Sequence, residues 1–472
     1  MELKKLSEGK WELPKHGKMK VPGIIFASEK LLEKMKGDKT LEQLENMATL
    51  PGILTHAIAC SDAHQGYGFC IGGVAAFDME KGIISPGGVG YDINCGVRLL
   101  TTNLTYDQIE SKRTEILESL FKKVPAGVGK DGQIRVSREE LREVLTKGAK
   151  WALAKGYGTQ EDLDKTEESG CIAGAEPNYV SDRAMKRGKS QIGTLGAGNH
   201  FIEIQKVEKI YNKKTAETFG ITDENQVLVM IHTGSRGLGH QVASDYIKLM
   251  EEKYGYEHLA DRELINAPIT SELGQKYYGA MCSAVNFAFA NRQMITHWTR
   301  EAFKEVFPEV KLNQVYDVAH NIAKYEELLV EGVPTKVCIH RKGATRSFGP
   351  GKKELPQVYR ETGQPVLIPG SMGTSSYVLV GTKEAEEVSF ASTAHGAGRA
   401  MSRFAAMKLK RGEEVRDELA AKNIVVKGAS WKGLAEEAPH AYKDVDEVVK
   451  TSHENHIGDL VAKLKPLAVM KG

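Results

Sequence analysis

The six cysteines of this 472-residue chain include no Cys-x-x-Cys pair. Such scatter argues against a disulfide framework and against a structural zinc module, and most of the thiols are expected to be buried. Long hydrophobic runs are lacking too: none approaches the ~18 residues of a membrane span. The first residues, Met1-Glu-Leu-Lys-Lys-Leu-Ser-Glu-Gly-Lys10, have no apolar signal-peptide core. A cytoplasmic protein with no membrane partner is expected. Neither sign of charge dominates, since 64 Lys and Arg against 62 Asp and Glu leave a net charge of +2. That balance excludes a molecule basic overall and leaves a locally basic face open. No Ser-, Pro- or Gly-rich linker divides the chain, so one domain over residues 1–472 is expected, although the length allows more.

What is present in mild excess is glycine, 48 residues of 472, or about 10% against roughly 7% on average. Away from the glycine clusters, periodicity predicts helices over Glu29–Met47, Tyr106–Lys123 and Ser137–Lys155, the last with Ser137 and Glu140 spaced as a capping box. Further helices are predicted over about Ala397–Lys410 and Glu413–Lys422. Short strand-like runs are Phe201–Ile204, Val227–Ile231, Lys336–Ile339 and Tyr377–Val380. Their irregular alternation with the helices predicts an α+β fold rather than a doubly wound sheet.

Two nucleotide-like motifs fail on context. Gly127-Val-Gly129-Lys-Asp-Gly132 fits G-x-G-x-x-G, yet neither a strand precedes it nor a helix follows. Gly188-Lys189-Ser190 ends like a P-loop, but Arg183 stands where the first glycine belongs. The informative glycines cluster beside chemically active side chains at Asp62-Ala-His64-Gln-Gly66-Tyr-Gly68, Gly87-Gly-Val-Gly-Tyr-Asp92-Ile-Asn-Cys95-Gly96, Gly196-Ala-Gly-Asn199-His200-Phe-Ile-Glu203, His232-Thr-Gly-Ser-Arg236-Gly-Leu-Gly-His240, Gly370-Ser371-Met-Gly-Thr-Ser-Ser376 and His395-Gly-Ala-Gly-Arg399. Glycine there lets backbone approach backbone or ligand, and the repetition suggests one convergent site.

Asp92 and Cys95 are near enough in a loop to reach one ion, while His200, His232 and His320 each flank a strand-like run. Together they make a candidate one- or two-metal site, against the alternative of separate structural histidines and a buried thiol. The run at His395 is read as a helix start whose free N–H groups, with Arg399, Ser371 and Ser376, face an anion. His395 there is open as base, ligand or nucleophile, or the segment is a helix start packed by small residues. Two acid-free basic runs, one with Arg187 and Lys189 and one with Arg341, Lys342 and Arg346, are either solvated loops or a path for a nucleic-acid backbone.

In order and content, these motifs from Asp62 onward resemble the RtcB family, GTP- and manganese-dependent RNA ligases of tRNA splicing and RNA repair. The resemblance implies a single-domain α+β fold with mixed sheets, surrounding helices and a central metal and nucleotide cleft. It implies joining of an RNA 3′-phosphate or 2′,3′-cyclic phosphate end to a 5′-hydroxyl end, through a GMP-histidine on His395 and an RNA-3′-pp-5′-G end. Two Mn²⁺ ions would be bridged by Cys95, with Asp92 and His200 on one and His232 and His320 on the other. Asn199 and Arg399 would contact phosphates, and Ser371, Ser376, Tyr442 and Lys471 would hold the guanylate. Asp62, His64, Glu203 and Arg236 match motif positions without a definite task, and a small activator protein, archease, is an implied partner. By themselves the residues also fit a dinuclear metallophosphohydrolase acting on RNA ends, or a non-catalytic RNA-binding scaffold. The absence of a Lys-x-Asp-Gly motif, with Gly129 where the lysine belongs before Asp131-Gly132, agrees with a histidine nucleophile. Ligand type alone, a thiolate with imidazoles, favours zinc over manganese.

Overall fold

The computed structural model describes residues 2–472. The fold is α+β and is built on two large sheets. The first runs in the order Lys4–Ser7, Lys10–Leu13, Gly23–Phe26, Ala57–Tyr67, Phe69–Asp78, Val333–Lys342, Asn321–Val330. The second runs Leu312–Ala319, Gly96–Thr105, Gln226–Thr233, Phe201–Ile210, Asp459–Lys471, Ser376–Val380, Pro365–Ile368, with Val425–Gly428 added in parallel to Asp459–Lys471. The four strands sensed in the sequence are all present, each longer than its apolar run.

Between the sheets and the outer helices runs the helix Glu272–Val306, 35 residues long and so roughly 50 Å at 1.5 Å per residue. It packs on the helices Arg113–Lys123, Arg138–Lys147 and Arg236–Tyr254 and on the strand Gln226–Thr233. Every residue from Gly279 to Thr296 is buried, so this helix lies inside the molecule and shows no one-sided apolar stripe.

Several predicted helices are modified by their own residues. Glu29–Met47 divides into Glu29–Lys36 and Thr40–Met47, because the Gly37 N–H closes the first on the carbonyls of Glu33 and Lys34. Tyr106–Lys123 passes through one tight turn at Glu110–Lys112. Ser137–Lys155 is capped by the expected Ser137–Glu140 box and breaks at Gly148. Glu413–Lys422 is found as Gly412–Ala421.

The helix expected from Ala397 begins only at Arg403, capped by the Ser402 hydroxyl. His395-Gly-Ala-Gly-Arg399 therefore opens no helix, and its N–H groups are already used: those of His395 and Gly396 go to Asp62 Oδ2 and that of Ala397 to the Pro369 carbonyl. Helices also do not avoid the glycine clusters. Arg236–Tyr254 starts inside the one at His232.

Candidate functional site

Strand register gathers the candidate residues at one end of the second sheet. Gly96 pairs with Ala319 on one side and Thr233 on the other, and His232 lies opposite both Val97 and Phe201, which in turn faces Lys471. Cys95 and His200 therefore sit just before their strands, His320 just after its strand and His232 next to a strand end, all along one edge. The His320 N–H donates to the Cys95 carbonyl at 2.8 Å and the Cys95 N–H to the Asp92 carbonyl at 2.9 Å, which holds the Asp92–Cys95 loop against that edge.

Two groups of potential ligands meet there, Cys95, His232 and His320 in one and Asp92, Cys95 and His200 in the other. Cys95 Sγ is common to both. It lies 3.2 Å from His232 Nε2 and 3.5 Å from His200 Nε2; His232 and His320 bring their Nε2 atoms to 3.3 Å, and His200 Nε2 is 2.8 Å from Asp92 Oδ2. Burial pushes both His232 and His320 well below the ordinary imidazole range, with neighbouring histidines adding to the effect. Neutral rings with Nε2 atoms facing each other and a sulfur leave lone pairs that a cation would satisfy. His200 Nδ1 is 3.0 Å from the Leu195 carbonyl, an acceptor for the ring proton when Nε2 serves as a ligand. Burial pushes Asp92 up, but His200 more than offsets it and keeps the carboxylate ionised. Asp92 Oδ1 is buried without a hydrogen-bond partner. Burial, aided by Asp92, pushes the Cys95 thiol up, and a bound cation reverses that preference. An orphaned carboxylate oxygen and a thiol shared by two ligand groups fit a pair of metal ions.

His395 stands beside this cluster, its ring 4.8 Å from that of His320. Its Nδ1 is 2.5 Å from the fully buried Asp62 carboxylate, off the line of a well-directed hydrogen bond. The same carboxylate takes the His395 and Gly396 N–H groups at 3.0 and 3.3 Å. Asp62 thus fixes both the backbone and the ring of His395, and leaves Nε2 as the nitrogen it does not engage. His64 Nδ1 is 3.1 Å from the Asp62 carbonyl; burial and Lys443 push its ring down to about 3, so it is neutral.

The metal-ligand candidates, His64 and His395 line one cleft of about 720 Å³, with Asp62 buried behind His395, a volume suited to a nucleotide-sized ligand. Asn199, Glu203, Ser371, Arg399, Tyr442 and Lys471 line the same cleft. Arg399 Nη1 is 3.2 Å from the buried Glu437 carboxylate, its guanidinium lies 5.2 Å from the Tyr442 ring centroid, and the Tyr442 hydroxyl donates to Glu437. Burial lowers Lys471 to about 8 and raises Glu203 to about 8. Arg236, also on the cleft, adopts φ 55° and donates from Nε to Thr194 Oγ1 at 3.1 Å. Its guanidinium fits only because residue 196 is glycine, since a Cβ there would lie 1.9 Å from Nη1.

Some expected residues are engaged elsewhere. Ser376 Oγ is set back from the wall, taking the Gly370 N–H and Gln205 Nε2, and so supports the Ser371 loop. Arg341 and Arg346 are not a face for RNA. Arg341 is buried and forms a two-pronged pair with Glu326 at 2.8 Å, while Arg346 is buried against Gln364, Tyr316 and Glu167. Lys342 lines the cleft, but its ammonium is tied to the Tyr67 and Phe69 carbonyls. Arg187 and Lys189 are exposed at the end of the helix Asp182–Gly188, and Arg187 lines the cleft. Sequence reasoning missed Glu437, Arg403 and Gln191, which also line it, and gave no role to His240, the cleft residue at the end of the glycine cluster that starts at His232. Glu437 carries no motif signal, because its cationic partners Arg399 and Arg403 become neighbours only on folding.

A family profile described as "tRNA-splicing ligase RtcB" matches residues 43–472. Among similar proteins, the tRNA-splicing ligase RtcB of Thermococcus kodakarensis is 54% identical, over 100% of this chain and 99% of its own length. Those of Pyrobaculum aerophilum and Archaeoglobus fulgidus are 52% and 51% identical, each over 100% of this chain and 99% of its own.

Proposed function

The chain belongs to the RtcB family of tRNA-splicing ligases, and from that premise we propose that it joins an RNA 3′-phosphate or 2′,3′-cyclic phosphate end to a 5′-hydroxyl end, with GTP as co-substrate and two Mn²⁺ ions in the cleft. The observation that carries this reading is the shared thiol: Cys95 Sγ belongs to both ligand groups, and His395 stands against one of them. Asp92, Cys95 and His200 would hold one ion, and Cys95, His232 and His320 the other. When bound, the ions offset the charge of facing phosphates.

Asp62 holds His395 so that Nε2 attacks the α-phosphorus of GTP, forming an N–P bond as pyrophosphate leaves. An oxygen of the RNA 3′-phosphate then takes the guanylyl group from His395, after hydrolysis of any cyclic phosphate. The 3′-phosphate becomes half of a pyrophosphate linkage, and GMP is its leaving group when the 5′-hydroxyl attacks. Arg399, Arg236, Asn199 and Lys471 provide positive charge and donors for these phosphates and for the guanylate. The exposed Arg187 and Lys189 beside the cleft suit an RNA backbone.

The test uses two short RNAs, one ending in 3′-phosphate and one beginning with 5′-hydroxyl, with GTP and Mn²⁺. A joined product is expected, absent when GTP is omitted or chelator is added. Phosphate release without joining and without need of GTP would replace this reading by the hydrolase.

A further inference from the structure

Arg292, on the long helix Glu272–Val306, is fully buried, and the charge it meets is the equally buried carboxylate of Asp317. All five of its N–H donors are used. Nη1 donates to the Asn94 carbonyl at 2.8 Å and the Thr233 carbonyl at 3.0 Å; Nη2 donates to Asn94 Oδ1 at 2.9 Å and Asp317 Oδ1 at 2.8 Å; Nε donates to Asp317 Oδ2 at 2.9 Å. Asn94 precedes Cys95, Thr233 follows His232, and Asp317 lies on the strand Leu312–Ala319 that ends just before His320. One rigid guanidinium therefore ties together the three segments that present the ligand group Cys95, His232 and His320.

Local geometry is built around this contact. Asn94 is held at φ 51° and its Nδ2 donates to the Val285 carbonyl of the same long helix at 2.8 Å. A Cβ at Gly96 would lie 3.0 Å from Arg292 Cζ and 2.5 Å from the Val318 carbonyl oxygen. Arg98 shares the Asp317 carboxylate at 2.7 Å and anchors it from the other side.

We propose that Arg292 is a positioning residue that sets the mutual geometry of Cys95, His232 and His320 for metal binding through its bonds to Asn94, Thr233 and Asp317. The proposal rests on the metal reading above. Groups that orient metal ligands without touching the ion typically contribute 10–100-fold to affinity, and a planar five-donor fork suits this task in a way that lysine does not. Arg300 offers an internal comparison. It lies on the same helix and pairs with Asp162 at 2.6 Å, but its remaining bond, to the Leu312 carbonyl, touches no ligand-bearing loop.

The experiment measures Mn²⁺ affinity by titration and the absorption spectrum of the Co²⁺-loaded protein for the parent, Arg292→Gln, Asn94→Gly and Arg300→Gln, with melting curves for each. Arg292→Gln is expected to bind Mn²⁺ about 10–100-fold more weakly and to shift the cobalt–thiolate band. Asn94→Gly, which keeps the left-handed backbone accessible, should move both readouts in the same direction by less. Arg300→Gln should lower the melting temperature and leave both readouts in place. Parent-like affinity and spectrum in folded Arg292→Gln overturn the proposal; should that variant not fold, parent-like values in Asn94→Gly do so. A parent that binds neither ion overturns the metal reading itself, and the proposal with it.

Discussion

Replacing Cys95 by Ala removes the one atom common to both ligand groups. A ligand atom matters more than its supports, so RNA joining should fall by well over about 100-fold, as measured with matched RNA ends, while circular dichroism stays native. Glu203 gives a prediction in pH. Burial raises its carboxyl from 4.5 to about 8, so between those values the folded protein holds a proton that the unfolded chain releases, and stability falls as pH rises through the window. Glu203→Gln removes the titration. Its melting temperature relative to the parent should therefore climb from pH 5 to pH 8, and a constant difference would contradict the assignment. At this scale the sequence was readable where glycine flanked a reactive side chain, as at Asp92, Cys95, His200, His232 and His395. It misled at Arg341 and Arg346, because an acid-free run along the chain says nothing of acids brought in by the fold: Glu326 lies 15 residues from Arg341, and Glu167 belongs to a distant segment.

Elements put those side chains in place. Ser137→Ala should cost about 1 kcal/mol of stability through loss of the capping box, with RNA joining unaffected, since that helix holds none of the cleft residues. Gly96→Ala acts where an element meets the site. The added methyl meets the Val318 carbonyl and the Arg292 guanidinium, so it should cost about 1–3 kcal/mol by overpacking, read by chemical denaturation. Strands were legible as apolar runs ending in polar residues. The long helix was not, because Gly279 to Thr296 are buried on all sides and mix Ala, Asn, Arg and Gln with Phe and Met; a two-sided pattern exists only for an element with a wet face. The segment after His395 failed for a related reason. Its small residues suit a helix start and equally suit a tight loop, and the buried Asp62 carboxylate takes the N–H groups that a helix start would have offered.

At the scale of the molecule, the cleft exists because the second sheet gathers strand ends on one edge while the strand Ala57–Tyr67 of the first supplies His64 to its lining and Asp62 as the buried support of His395. No list of motifs conveys that closure, since Cys95 and His320 are brought together by strand pairing across the whole chain. A ligand that binds only the folded state stabilises it, so Mn²⁺ at about 100 times its dissociation constant should add about 2.7 kcal/mol to the parent. Cys95→Ala should lose most of that gain. The central claim is that His395 carries the guanylyl group, and it is tested most directly by incubating the protein with Mn²⁺ and α-labelled GTP. The parent should retain label through an acid-labile bond and His395→Ala should retain none; label of equal amount on His395→Ala would contradict the account.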